Sequence, residues 1–154
     1  MFNYKHCLII LIVTYISLLG WQISPYIFVG HESAEMYTEG CDYKYGVQIE
    51  EDDKKIVVDG WIFYPNEQIK TWDVKIALLS EESNLYLLKT NMVKRKDVED
   101  SFKKKYGDDN RLEYSGMHAS VYKILLSKGY YKVVIIYNNN DNNRLVYTNQ
   151  VVSI

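Results

Sequence analysis

The sequence predicts an all-β domain, a sandwich or barrel of seven or eight strands behind an N-terminal membrane helix, and three observations lead there. Beyond residue 43 the chain falls into runs rich in Val, Ile, Tyr, Phe and Trp, parted by Asx, Gly and charged clusters. That rhythm belongs to short paired strands. Only one later stretch has helical spacing, and Cys7 to Val29 runs 23 residues without a formal charge.

That apolar stretch satisfies the roughly 20 residues a helix needs to cross a bilayer. Lys5 and His6 precede it, while Glu32, Glu35, Glu39 and Asp42 follow it. The positive-inside rule therefore places residues 1–6 in the cytoplasm and the remainder outside a single-pass cell-membrane anchor over 7–29. Two other readings stay open: a cleaved signal, which would give a secreted β domain, and a buried core helix. Cys7 and Cys41 lie on either side of the stretch, so a span keeps them from pairing within one chain and leaves Cys41 a lone thiol.

Residues 30–42, GHESAEMYTEGCD, show no sustained period and read as a tether. The β domain is expected over 43–154. Its first strand covers Tyr43 to Glu50, and the acidic turn at Glu51-Asp52-Asp53 leads into Lys55 to Tyr64, KIVVDGWIFY, which has apolar residues on both faces and is therefore central. Gly60 within it signals a bulge or a close approach. Asp73 to Ser80 and Leu85 to Thr90 flank a four-residue polar hairpin loop. Met92 to Tyr106 holds a short helix or crossover near 97–105, with Val98 and Phe102 four apart. A weak strand at 112–114, a run from Met117 to Leu126, the core strand YYKVVIIY at 130–137, the loop NNNDNN and a last strand to Ser153 complete the chain.

Charge excludes some functions. The part after the anchor carries 17 Lys and Arg against 20 Asp and Glu, so no global field favours nucleic acid. The clusters 94–96 and 103–105 are each answered by nearby acids and read as solvated faces. Of three histidines only His118 lies within the β domain, so no histidine cluster can form there, which leaves at most His118 with carboxylates, and a lone strand histidine is more often structural. No nucleophile elbow, phosphate-cradling glycine loop or zinc-protease helix occurs, and the Asn-rich loop lacks calcium-ligand spacing. The expectation is a non-enzyme with no cofactor and no metal. The one compositional oddity is 15 Tyr. Trp72 and Tyr64, near strand ends, are the candidate stacking residues for a sugar or another apolar ligand face.

The order of VVDGWIFY, KIALLSEESNLYLLKT, KRKDVEDSF, YSGMHASV and KGYYKVVIIY over roughly residues 54–138 resembles the Ig-like two-sheet antiparallel accessory domains attached to bacterial surface-polysaccharide enzymes. These enzymes are teichoic-acid-type glycerophosphotransferases and related glycosyltransferases. The matching positions are Gly60-Trp61, Leu79-Ser80, Arg95 with Asp97-Val98, and Ser115-Gly116 with Ala119. Met117 departs from the pattern's usual aromatic. The resemblance implies a non-catalytic module, displayed outside the membrane, that engages an envelope protein or glycan and is linked to envelope polysaccharide assembly. It also implies an ion pair between Arg95 and Asp97 that fixes the crossover. An undetected envelope hydrolase or transferase built on scattered carboxylates is the contrasting expectation.

Overall fold

The computed structural model describes residues 4–23, 30–65, 67–71, 73–107, 110–139 and 142–154. Helix α1 (Tyr4–Ile23) is followed by strands β1 (Gly30–Ser33), β2 (Thr38–Glu39), β3 (Lys44–Glu51), β4 (Lys55–Phe63), β5 (Asp73–Ser80), β6 (Asn84–Leu87) and β7 (Thr90–Val93). Helix α2 (Lys96–Tyr106) then leads to β8 (Gly116–Tyr122), β9 (Tyr130–Asn139) and β10 (Asn142–Ser153). Two sheets result, one ordered β1-β6-β5-β9-β10-β2 and the other β3-β4-β8-β7. The protein is mostly β, and its architecture fits a sandwich.

Alternation along the strands builds the core. Ile56, Val58 and Ile62 of β4, Ile76 and Leu78 of β5, and Val133 and Ile135 of β9 are each fully buried and pack in one cluster between the sheets. Residues two apart share a face, so these runs point one row inward and leave the next row facing outward. The end of β4's outward row is covered as well. Trp61 and Phe63 face α2, whose Val98 and Phe102 join Ile69 and Leu112 in a second apolar cluster. Acids in the first turn of α2 and Lys103 to Lys105 in its last turn complement the helix dipole. Gly107 ends the helix at φ +86°, with its N–H on the carbonyl of Lys103 at 2.9 Å.

The expected tether over 30–42 is corrected by the strand pairing. β1 pairs antiparallel with β6 at one edge of the larger sheet, and β2 pairs parallel with β10 at the other. Between them a 3-10 turn, Ala34–Met36, crosses the sheet's outer face. This strap covers an apolar row, Ala77, Leu85, Leu87, Val134, Ile136 and Leu145, all at 4% exposure or less, with Ala34 and Tyr37 packed against it. Burial of that row is the physical reason the segment folds onto the sheet. Glu32 accepts a hydrogen bond from the Tyr37 hydroxyl within the strap.

Other differences are local. Residues 112–114 form a 3-10 turn in place of a strand, and 90–93 form edge strand β7 ahead of the helix. With β1 and β2 this raises the strands among the described residues to ten. The β3–β4 turn is acidic as expected, because Asp52 Oδ1 accepts the N–H groups of Lys54 and Lys55 at 2.7 and 2.8 Å.

The membrane span expected over 7–29 differs as well. Among the described residues no helix is long and apolar enough to cross a membrane. Helix α1 covers Tyr4–Ile23, and residues 24–29 of the expected span lie outside the described residues.

Candidate functional site

A groove of about 580 Å³ opens at the end of the sandwich where β2 and β4 finish and β10 begins. Three chain segments build it. Thr38, Glu39 and Cys41 come from the strap's exit, Tyr43 from the turn into β3, Tyr64 and Glu67 from the β4–β5 loop, and Arg144 from β10.

Each segment is held by backbone geometry. The parallel pairing sets Arg144 beside Thr38 and Leu145 beside Glu39, and the N–H of Gly40 continues it onto the carbonyl of Leu145 at 2.8 Å. The chain then turns through Asp42 in a left-handed conformation, φ 66°. A side chain on Gly40 would begin 2.8 Å from the ring of Tyr43, so the absence of one lets that ring lie flush. Tyr43 meets Tyr64 at 5.1 Å between centroids and Tyr137 at 5.0 Å.

The loop wall has its own fastening. The side chain of Asn139 is fully buried. Its Oδ1 accepts the N–H groups of Lys70 and Thr71 at 2.9 Å each, and its Nδ2 donates to the carbonyl of Gln68 at 3.0 Å. Ile69 anchors between them in the α2 cluster. The Glu67 N–H closes a turn onto the Tyr64 carbonyl at 3.3 Å.

Electrostatics tie the walls together. Burial pushes the Tyr43 hydroxyl above its ordinary value; Glu67 adds to the rise, Arg144 opposes it and Tyr64 adds a little. Tyr137 behind it is also held up, first by desolvation and then by Glu67 and Tyr43. The groove thus joins, among the described residues, aromatic faces, two carboxylates and one guanidinium. None of the described residues that line it is a histidine that could stand beside Cys41. Among the described residues no group of His, Cys, Asp or Glu could hold a metal ion.

Of the stacking residues expected from sequence, Tyr64 lines this groove and is 39% exposed. Trp72 lies outside the described residues. Gly60, Trp61, Arg95, Asp97, Ser115 and Gly116 gather elsewhere, around the junction of α2 with β4, β7 and β8. Trp61 stacks on Phe63 at 5.7 Å and meets Phe102 at 5.4 Å. Arg95 Nε and Nη2 reach the two Asp97 oxygens at 2.8 and 2.6 Å, and the Ser115 carbonyl accepts the N–H of Ile62 at 3.0 Å. A Cβ on Gly60 would lie 2.6 Å from the Gly46 carbonyl oxygen, and one on Gly116 only 2.1 Å from that of Val93. His118 Nδ1 lies 2.8 Å from Asp59 Oδ1 across the β4–β8 pair, both half exposed on the sheet's outer face.

Sequence reasoning missed Glu39, Cys41, Tyr43, Glu67 and Arg144. The usable signal was Arg144 itself, a single cation directly after a run of Asn and Asp. No protein-family model, curated protein or solved structure matches this chain.

Proposed function

We propose that this protein is a membrane-anchored, externally displayed, non-catalytic β-sandwich that binds glycan in the groove between Tyr43 and Tyr64, as an accessory to envelope polysaccharide assembly. The observation that carries the binding reading is the exposed Tyr64 ring on the wall of a 580 Å³ groove whose rims hold Glu39, Glu67 and Arg144. Tyrosine faces stack on the apolar faces of sugar rings, and carboxylates and a guanidinium pair with hydroxyls. The Ig-like accessory domains that the sequence resembles supply the envelope context.

Anchoring is supported by α1. From Leu8 to Leu19 its large apolar side chains are between 38% and 66% exposed, all round the helix. A helix apolar on every side belongs in a nonpolar medium. Thr14 and Ser17 turn their hydroxyls back onto the carbonyls of Ile10, Leu11 and Val13, which removes their need for water. The contrasting reading is a cleaved signal that releases a secreted sandwich. An intact mass including Met1 would exclude that release.

The test of binding is a glycan array probed with the full-length protein in detergent, alongside Tyr64→Ala. Retention of sugar by the wild type and its loss in the variant is the expected result. Blanks across the array, or equal binding by both proteins, would overturn the reading.

A further inference from the structure

We infer that the groove selects a glycan bearing a free ammonium group, such as an amino sugar, over neutral or phosphate-bearing polymers. This rests on the glycan reading and narrows its chemistry. Tyr43 and Tyr64 meet at 5.1 Å with their ring planes inclined at 55°, forming an aromatic corner. An ammonium group over a tyrosine face is drawn to the ring's negative quadrupole. Glu39 stands on the strap side of the groove and Glu67 on the loop side. Among the described lining residues, these carboxylates supply two negative charges against the positive charge of Arg144.

Glu67 and Arg144 line the same groove as Tyr43, and their opposed effects on its hydroxyl accord with that placement. The carboxylates set the sign of the site, while Arg144 offers N–H donors to the hydroxyl and ring oxygens of the same sugar. The two carboxylates repel a phosphodiester polymer, and the part of the chain beyond the anchor, with 17 basic against 20 acidic residues, offers polyanions no general attraction.

The experiment measures binding of the full-length protein in detergent to three probes: glucosamine oligomers, their fully N-acetylated counterparts and a glycerol phosphate polymer. The free-amine oligomers are expected to bind roughly tenfold more tightly than the acetylated ones. That advantage should shrink toward unity in the Glu39→Gln, Glu67→Gln double variant. In a Cys7→Ser background, glucosamine oligomers should also slow alkylation of Cys41, which lines the groove.

Equal affinity for the amine and acetylated forms, or tighter binding of the phosphate polymer, would overturn the inference and leave the glycan reading standing. If none of the three probes binds and Cys41 alkylation is unchanged, the inference falls, and blanks on the wider array would take the glycan reading with it.

Discussion

The side-chain oxygen of Asn139 accepts the backbone N–H of Lys70 at 2.9 Å from a position with no solvent exposure. The same side chain takes the N–H of Thr71 and donates to Gln68, so one amide at the end of β9 fixes the loop that carries Tyr64 and Glu67. Asn139→Ala would strand these loop groups without partners. A hydrogen bond contributes roughly 0.5–1.5 kcal/mol, and with three lost together we expect a loss of about 3 kcal/mol in chemical denaturation. Amide exchange at Lys70 and Thr71 should accelerate far more than exchange in β5. Uniform acceleration would show that Asn139 stabilises the sandwich as a whole and leaves the loop no special debt to it.

The strap predicts where the sandwich begins. A protein starting at Tyr43 lacks the segment that covers Leu85, Leu87, Ile136 and Leu145. Fully burying side chains of this kind contributes about 1.5–3 kcal/mol each. The shortened protein should bind a hydrophobic dye and aggregate, whereas one starting at Gly30 should remain monomeric. Alkali probes the same strap. Burial, reinforced by the hydrogen bond to Glu32, holds the Tyr37 hydroxyl far above its ordinary value. Because the folded value exceeds the unfolded one near 10, the strap's contribution is complete below about pH 10 and is lost progressively as pH rises beyond it. Ultraviolet titration should show this loss in wild type and not in Tyr37→Phe.

What could be read from the sequence follows from pattern length. β4 alternates over nine residues, and its apolar residues on both faces announced a central strand; that one of its covers is α2 came only with the structure. The edge strands gave no such notice. GHES and TE are too short and too polar to carry a period, and they are strands only because β6 and β10 offer them hydrogen-bond partners far along the chain. The groove was legible at Tyr64 alone, because its other walls depend on that long-range pairing.

Gly116 marks the closest approach between β8 and β7. A methyl group there would sit 2.1 Å from the Val93 carbonyl oxygen and 2.5 Å from Arg95 Cγ. Backbone cannot yield that distance without parting the strands, so Gly116→Ala should cost about 3 kcal/mol. Gly30→Ala, where a Cβ meets nothing within 4 Å, is the matched control. Equal stability of the two variants in urea would refute the close approach.

Asp97 should titrate unusually low. The Arg95 guanidinium, bonded to both carboxylate oxygens, pulls its pKa down to about 2. Since the folded value lies below the unfolded value near 3.9, the pair's contribution is present above about pH 4 and is lost as pH falls toward 2. Carbon-detected NMR of the Asp97 carboxyl checks the value directly. Arg95→Gln should return it to the ordinary aspartate range, and a titration unmoved by that substitution would refute the assigned cause.

A charge placed in α1 tests the anchor. Ile12 lies within the apolar run and is half exposed. A lysine at a helix centre in the bilayer costs about 2.5–3.5 kcal/mol, enough to shift partition by roughly a hundredfold. Ile12→Lys is expected to move the protein out of the carbonate-washed membrane fraction. Met36→Lys, on the strap at 73% exposure, should leave partition unchanged, since that position faces water whether or not the helix is inserted. Equal membrane retention of the Ile12→Lys variant and wild type would mean that α1 does not hold the sandwich at the membrane.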